Sequence, residues 1–200
     1  MEILLIRHGE SERPGGGQMD IPLSPSGEQE AYATGQMLKG AGIARLYSSP
    51  LSRALKTAAI IGAAIGRDPI PDANLMERSH GDFDGLTRDE LASQYPEEAA
   101  RIRTKPLQAA PGGESFQDVL VRVDAFLRDH IEGAPDAEIV AMVSHGNFLN
   151  IFLMRVLDIP QNLYPLFHFD TASVSAIAFD DRGPSRLRYV NRVPDRRMGF

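Results

Sequence analysis

The sequence contains no cysteine, and this absence excludes several kinds of protein at once. A disulfide scaffold, a thiol nucleophile and a cysteine-ligated zinc site all require that residue. The absence agrees with a reducing compartment without proving one. Any catalytic site in this chain must therefore be built from other side chains.

Basic residues are in short supply, with 21 Lys and Arg against 27 Asp and Glu and a net charge of −6. A nucleic-acid-binding protein is more often basic, so we expect no nucleic-acid partner. The overall charge also repels anionic substrates at long range. A phosphate site would therefore have to be locally positive, built from a few well-placed cations.

Long apolar runs are missing as well. The first apolar stretch, residues 3–6, is too short for a signal peptide, and an acid precedes it. No run approaches the length of a membrane span, so we expect no membrane association and a cytoplasmic location. No repeat or linker divides the 200 residues, and the glycine-rich loop 13–17 is interpreted as flexible. We predict a single domain, 1–200.

Short apolar runs alternate with helical patterns along the chain. Strand patterns are found at five places, the last two joined as a hairpin across 181–184: 3–6, 45–48, 139–143, 174–179 and 186–190. Helical patterns with capping residues or apolar periodicity lie between them: from Ser24 to about 40, from about 51 to Gly66, from Thr87 to about 105, from Ser115, and from about 147 to 157. The alternation predicts an α/β fold of three α/β/α layers around a central, mainly parallel mixed sheet.

Polar residues follow three of the predicted strands. Arg-His-Gly-Glu at 7–10 follows the first strand, and Ser-Ser-Pro at 48–50 follows the second, with Arg53 one helical turn later. Ser-His-Gly at 144–146 follows the late strand. Ligands of open α/β sheets bind beyond the carboxyl ends of the strands. Two His-Gly turns and two arginines are therefore predicted to converge at one edge of the sheet.

These are the residue types that phosphoryl transfer requires. Guanidinium groups match phosphoryl oxygens with paired, charge-assisted hydrogen bonds, and a helix N-terminus adds free backbone N–H groups. A neutral imidazole is a competent nucleophile, and a covalent intermediate divides one hard displacement into two. Nearby arginines should keep that imidazole neutral. Five other titratable residues are interpreted as structural or solvent-exposed: His80, His130, His168, Asp82 and Asp84.

The ordered motifs resemble those of the histidine phosphatase superfamily, the phosphoglycerate mutase-like proteins. Leu5-Ile6-Arg7-His8-Gly9-Glu10-Ser11 is similar to the family signature, in which the histidine is phosphorylated. Six further segments resemble family motifs in the same order: 22–27, 47–58, 75–85, 111–115, 143–146 and 170–174. The set is specific as an ordered whole, whereas Arg-His-Gly by itself is a weak signal.

The resemblance implies a phosphoglycerate mutase-like fold and a phosphohistidine mechanism on a small phosphomonoester, without metal or cofactor. It implies that His8 is the nucleophile and Glu77 the general acid and base. The implied phosphate-binding residues, of which Arg7, Arg53 and His145 also have catalytic roles, are Arg7, His8, Arg53, His145, Gly146, Ser11 and Asn147. The two arginines and the second histidine would neutralise charge in place of a metal.

Three positions depart from the family pattern. Pro14 stands where an Asn often contacts the substrate phosphate, Asp84 stands for Glu, and Asp170 for Asn. Only a short helical stretch, about 87–105, separates the acid segment from the motif at 111–115. The resemblance therefore favours the phosphatase branch, because a mutase needs a lid that protects its phosphohistidine from water.

Several alternatives stay open from the sequence. The chain could be a cofactor-dependent phosphoglycerate mutase, or a phosphate-binding module without turnover. The apolar residues 163–169 could cover a homodimer interface, although core burial is the simpler interpretation. Candidate substrates include sugar phosphates, a nucleotide-derived phosphate, a phosphoglycerate and a phosphoprotein. Residues that select among them are expected in 13–20, 82–86 and 107–111.

Overall fold

A six-stranded sheet forms the centre of the computed structural model, which describes residues 1–180 and 182–194. Its strands are β1 Glu2–Arg7, β2 Arg45–Ser48, β3 Pro69–Pro71, β4 Ile139–Ser144, β5 Val174–Ala178 and β6 Arg186–Arg192. They lie in the order β3-β2-β4-β1-β5-β6. The pairs β1/β4, β4/β2 and β2/β3 are parallel, whereas β5 is antiparallel to both β1 and β6. The predicted mainly parallel, mixed sheet is confirmed.

Six α-helices accompany the sheet in the described ranges. They are α1 Pro25–Leu38, α2 Ser52–Ile65, α3 Arg88–Gln94, α4 Pro96–Thr104, α5 Phe116–Phe126 and α6 Gly146–Val156. None of the helices within those ranges is both long and apolar enough to cross a membrane. Short 3-10 turns at Ala73–Leu75 and Gly81–Phe83 carry the chain from β3 toward α3.

Two apolar clusters, one on each face of the sheet, make the fold three-layered. Ile3 and Leu5 of β1 pack with α5 and α6 on one face, and Leu4 and Ile6 pack with α1 and α2 on the other. A strand covered on both faces needs apolar side chains at every position, which explains the uninterrupted run. The predicted α/β/α layering is confirmed.

Side-chain caps start several helices where the sequence predicts them. Ser24 accepts from the Gly27 N–H at the start of α1, and both Thr87 and Ser115 form capping boxes. Gly66 ends α2 with a positive φ of 70°, a conformation that favours glycine.

Several predicted boundaries differ from the structure. The stretch 87–105 is two helices, because Pro96 has no N–H to continue α3 and instead begins α4. The strand β3 was not predicted, since two of its three residues are proline, which is confined to sheet edges. Smaller differences are that α1 ends at Leu38, β5 at Ala178 and β6 at Arg192. Asp181 of the predicted hairpin turn and the last residues of the predicted domain, 195–200, lie outside the described residues.

The strand register brings three carboxyl ends level with one another. Arg7 at the end of β1 lies opposite Ser144 of β4, and Ser48 of β2 lies opposite Val143. The residues that follow these strands therefore emerge side by side, as the sequence predicts for this edge.

The first turn of α1 packs directly against the loop that follows β1. A Cβ added at Gly27 would overlap the Glu10 carbonyl oxygen, and one at Gly9 would overlap the backbone of Gly27. The two glycines thus let helix and loop approach at backbone distance. This contact gives a physical reason for glycine in both the first and the second sequence motif.

Candidate active site

His8 lies immediately after β1 and is held by backbone groups. Its N–H donates to the Ser144 carbonyl oxygen at 2.9 Å, and the residue is 7% exposed. Its Nδ1 lies 2.7 Å from the Gly9 carbonyl oxygen. Because a carbonyl can only accept, Nδ1 carries the proton and the lone pair is on Nε2. The unprotonated nitrogen of the neutral ring is therefore Nε2.

His145 lies at the matching position after β4, where it precedes the first turn of α6. It is fully buried, and its ring centroid is 4.9 Å from that of His8. Its Nε2 is 2.8 Å from the hydroxyl of Ser49, the residue after β2. Residues that follow three adjacent strands thus meet around the two rings.

Both histidines are kept neutral by their surroundings. Burial, followed by the positive charges of Arg53 and Arg7, lowers the pKa of His8 to about 3. Burial also holds the pKa of His145 well below its usual value, with His8 and the same arginines adding to the effect. A protonated imidazole here would be a buried cation beside other cations. The free site therefore presents two neutral rings and two guanidinium groups.

Arg53 is buried in the first turn of α2, with 3% of its surface exposed. Two of its nitrogens donate to the carbonyl oxygens of Met19 and Gly17 at 2.8 and 2.9 Å. These bonds use two of the five N–H groups of the guanidinium, and the others remain for an anion. A buried arginine held in this way is well placed to bind phosphoryl oxygens.

Two buried nitrogens in this region have no hydrogen-bond partner among the described residues. They are Nε of Arg7 and Nδ1 of His145. Arg7 is otherwise anchored by a 2.6 Å bond from a terminal nitrogen to the Phe169 carbonyl oxygen. Buried polar groups are nearly always paired in folded proteins, so unpaired ones point to a ligand that pairs them. An anion with several acceptor oxygens fits this requirement.

Glu77 is buried beside the N-terminus of α6. Its Oε1 accepts from the N–H groups of Arg78 and Phe148 at 2.8 and 3.0 Å, and its Oε2 accepts from the Asn147 N–H at 3.2 Å. Helix N-termini stabilise carboxylates through such free N–H groups. The structure therefore brings the predicted acid to the helix that follows His145.

The three remaining phosphate-binding candidates, Ser11, Gly146 and Asn147, have different surroundings. Ser11 donates its hydroxyl to the Arg13 carbonyl oxygen at 3.0 Å, and Gly146 is the first residue of α6. The side-chain amide of Asn147 donates to Glu77 Oε2 at 3.4 Å and accepts from the Tyr164 hydroxyl at 2.8 Å. Asn147 thus contacts Glu77 and not Arg7 at the end of β1, which favours a role beside the predicted acid.

The glycines of the loop 13–17, which the sequence interpretation called flexible, make close contacts with the turn at 79–85, whereas Arg13 and Pro14 are exposed. The Gly85 N–H donates to the Gly16 carbonyl oxygen at 3.0 Å, and a Cβ on Gly17 would overlap the carboxylate of Asp84. Asp84 also accepts from the Ser79 hydroxyl and the His80 N–H at 3.1 and 2.6 Å. Asp84 therefore holds a turn against this loop and is not simply a solvated loop acid.

Two of the other histidines that the sequence analysis named, His130 and His168, lie in separate surroundings. His130 is 2.8 Å from a carboxylate oxygen of Asp72, and the side chain of His168 is 77% exposed. Within the described ranges, no group of three or more His, Asp or Glu side chains is arranged to hold a metal ion.

Two contacts around His8 and His145 were not predicted. Thr57 on α2 accepts from the Gly9 N–H at 3.0 Å and donates to the Arg53 carbonyl oxygen at 2.7 Å. Ser49 bonds His145, as described above. Both residues lie inside the motif at 47–58, so the signal was present, but a sequence does not show which polar side chain bonds which loop.

Comparison with known sequences decides the family. Residues 3–192 match the sequence profile of the histidine phosphatase superfamily, branch 1. The chain belongs to the histidine phosphatase superfamily. The resemblance inferred from the seven ordered motifs is confirmed.

Relatives of this member of the superfamily carry different names. A bifunctional protein of Mycobacterium tuberculosis is 36% identical over 196 residues, which are 96% of this chain and 54% of that protein. The chain thus spans about half the length of this relative. A probable phosphoglycerate mutase, GpmB of Salmonella paratyphi B, is 32% identical over 188 residues, covering 90% of this chain and 86% of GpmB.

Solved structures confirm the predicted phosphoglycerate mutase-like fold of this chain. The native structure of a mycobacterial glucosyl-3-phosphoglycerate phosphatase superposes with a TM-score of 0.87 at 25% identity. The match covers 96% of this chain and 99% of that one. The resemblance extends over nearly the whole of both chains, so the site described above lies within the shared fold.

The neutral histidines make stability depend on pH in a defined direction. His8 titrates near its ordinary 6.5 when unfolded but at about 3 when folded. Between these values the unfolded chain binds more protons, so the free energy of unfolding falls as the pH falls from about 6.5 toward 3. Each such histidine contributes up to about 1.4 kcal/mol per pH unit. We expect His8→Gln to reduce this slope, measured by urea unfolding at a series of pH values.

The exposed His168 provides the control for that measurement. We expect the slope to change more in His8→Gln than in His168→Gln, because His8 is 7% exposed whereas the side chain of His168 is 77% exposed. Equal slopes in the wild type and His8→Gln would contradict the assignment of a neutral, buried His8.

Proposed function

We propose that this chain hydrolyses small phosphomonoesters through a phosphohistidine intermediate on His8. The observation that carries the proposal is the bond from Nδ1–H of His8 to the Gly9 carbonyl, which leaves a lone pair on Nε2. The ring is held neutral in the presence of two arginines, as a nucleophile for an anionic substrate must be. Membership of the histidine phosphatase superfamily supports the same assignment.

In the first step, Nε2 of His8 attacks phosphorus in line with the ester oxygen. A P–N bond forms as the P–O bond breaks, and the Glu77 carboxyl, which takes up a proton when the phosphate dianion binds, gives that proton to the departing oxygen. Arg7 and Arg53 bind the phosphoryl oxygens with charge-assisted hydrogen bonds. The unpaired nitrogens of Arg7 and His145 provide two further donors once the bound dianion favours a protonated His145.

In the second step, water displaces the histidine. Glu77, now ionised, takes a proton from the attacking water, the P–N bond breaks, and inorganic phosphate leaves. The electron pair of the broken bond returns to Nε2, so the neutral ring is restored. The same carboxyl group thus acts as acid in one half-reaction and as base in the other.

A phosphoglycerate mutase is the second candidate, and the 32% identity to GpmB favours it. A mutase must keep water from its phosphohistidine until the substrate returns. The helices α3 and α4, which occupy the stretch where a lid would be inserted, contain no buried residue. With 7 and 9 residues these helices provide little chain for a lid, which supports hydrolysis as the main reaction.

Replacement of the nucleophile tests the covalent step. We expect His8→Ala to lower kcat for nitrophenyl phosphate by about three orders of magnitude or more, because no phosphoenzyme can form. The wild type quenched during turnover should carry acid-labile phosphate on His8, and His168→Ala should behave as the wild type. Absence of both phosphoenzyme and released phosphate in the wild type would support a binding module without turnover.

Replacement of the acid tests proton transfer. We expect Glu77→Gln to slow alkyl phosphates by roughly a hundredfold and nitrophenyl phosphate much less, because a good leaving group needs little acid assistance. Steady-state kcat over a series of phosphate esters measures this difference. Equal losses across the series would contradict the general-acid role.

A product assay with 3-phosphoglycerate separates the two enzymes. We expect free phosphate to be released, with or without added bisphosphoglycerate, because a water-accessible phosphohistidine is hydrolysed. Phosphate release and formation of 2-phosphoglycerate are followed in the same reaction. Net isomerisation that depends on bisphosphoglycerate would instead identify the mutase.

A further inference from the structure

The backbone that carries Glu77 is held by an ion pair between Glu114, which belongs to the motif at 111–115 but had no role assigned, and Arg122, which lies outside the motifs. Arg122 of α5 and Glu114 meet through two bonds of 2.9 Å, Nε to Oε1 and a terminal nitrogen to Oε2. Their side chains are 18% and 22% exposed, so the pair is largely shielded from water. Such a two-point pair fixes the guanidinium plane as well as its position.

The other N–H groups of Arg122 all donate to the segment that contains Glu77. One terminal nitrogen donates to the carbonyl oxygens of Asn74 and Met76 at 2.6 and 2.9 Å, and the other to that of Glu77 at 3.3 Å. Together with the two bonds to Glu114, these bonds use the five N–H groups of the guanidinium. Arg122 therefore has no donor left for substrate, and its contacts determine where residues 74–77 lie.

Glu114 fixes the same segment on the far side of the acid. Its Oε2 accepts from the Ser79 N–H at 2.9 Å, and its own N–H donates to the Ser79 carbonyl oxygen at 3.0 Å. The chain is thus held both before and after Glu77. We refer to Arg122 and Glu114 together as the acid clamp.

The acid clamp also reaches the helix that holds the Glu77 carboxylate. The guanidinium carbon of Arg122 lies 5.6 Å from the ring centroid of Phe148, a cation–π distance. The N–H of that same Phe148 donates to Glu77 Oε1 at 3.0 Å. Arg122 therefore touches both the backbone of the acid and the residue that orients its carboxylate.

A third contact links the acid clamp to the phosphate-binding side. The amide nitrogen of Gln18 donates to the Glu77 carbonyl oxygen at 2.9 Å and to Glu114 Oε2 at 3.4 Å. Gln18 lies between Gly17 and Met19, whose carbonyl oxygens accept from Arg53. The same loop therefore contacts both the backbone of Glu77, through Gln18, and the buried Arg53, through the two neighbours of Gln18.

We propose that Arg122 and Glu114 are positioning residues that set the distance between the Glu77 carboxyl and the leaving-group oxygen. This inference rests on the proposed general-acid role of Glu77. Neither side chain hydrogen-bonds His8, Arg7 or Arg53 in the described part of the chain. Disturbing the acid clamp should therefore impair proton transfer to the leaving group while phosphate binding and nucleophilic attack are retained.

The chain offers a matched control pair at the other end of the sheet. Arg45, at the start of β2, forms a two-point pair with Glu138 at 2.7 and 2.8 Å. Its side chains are 28% and 15% exposed, close to those of the acid clamp. Arg45 and Ser48 stand at opposite ends of the same strand, so this pair is remote from the site.

The experiment compares Arg122→Lys with Arg45→Lys, each of which keeps the charge and removes the planar fork. For Arg122→Lys we expect kcat for an alkyl phosphate to fall about tenfold or more and kcat for nitrophenyl phosphate less than about threefold. Competitive inhibition by inorganic phosphate should stay within about twofold of the wild type. Arg45→Lys should leave the ratio of the two kcat values unchanged. Equal losses on both substrates, or the same ratio in both variants, would overturn the proposal.

A double variant separates positioning from general weakening of the fold. In the Glu77→Gln background, Arg122→Lys should cause no further selective loss on alkyl phosphates, because there is no acid left to misplace. An additional selective loss there would count against the proposal. If Arg122→Lys does not fold, judged by circular dichroism, Glu114→Gln decides by the same ratio, because it removes the charge with almost no change of shape.

Loss of the general-acid role and loss of the positioning role would give different kinetic results. If Glu77→Gln itself shows equal losses on alkyl and nitrophenyl phosphates, the general-acid role is wrong and the acid clamp has no acid to position. If Glu77→Gln is selective and neither Arg122→Lys nor Glu114→Gln is, only the positioning role is wrong.

Discussion

Two imidazole rings and two guanidinium groups share a buried space at the carboxyl edge of the sheet. Burial disfavours the charged form of any group placed there. The arginines cannot lose their protons, and their positive charges lower the pKa of both histidines further. Both rings therefore stay neutral, and the positive charge of the free site belongs to the guanidinium groups alone. In the proposed reaction, this division allows His8 to act as the nucleophile while the guanidinium groups attract the anionic substrate. The rest of the structure holds these four groups in place.

Main-chain contacts hold most of these groups in position. The parallel register sets Arg7 level with Ser144, and the close approach of Gly9 to Gly27 fixes the loop between nucleophile and first helix. The same loop gives the Gly9 carbonyl its position, which determines the tautomer of His8. The position and tautomer of His8 thus depend on main-chain contacts. The acid, in contrast, depends on long side chains that reach across from α5 and from the segment before it.

Much of the fold followed from local patterns, and the reasons are visible in particular elements. Continuous apolar runs identified β1 and β4, because burial on both faces demands them, and capping residues identified the starts of α1, α3 and α5. The short strand β3 escaped because its two prolines are typical of non-strand segments, and its pairing with β2 is a tertiary contact. The contacts of the glycine-rich loop with Asp84 and the Gly85 N–H were not predicted, because the composition of a segment does not show which distant residues pack against it.

The sequence by itself determined the order of chemically competent residues and, with it, the family: two His-Gly turns, Arg53 and Glu77 occur in a sequence of motifs that chance would not assemble. Only the tertiary structure decided which atoms meet. Hydrogen bonds such as those from Arg122 to the Glu77 segment join residues 45 to 48 positions apart. Local preference carries no information on contacts at that separation, since they exist only after the sheet and α5 have brought the segments together.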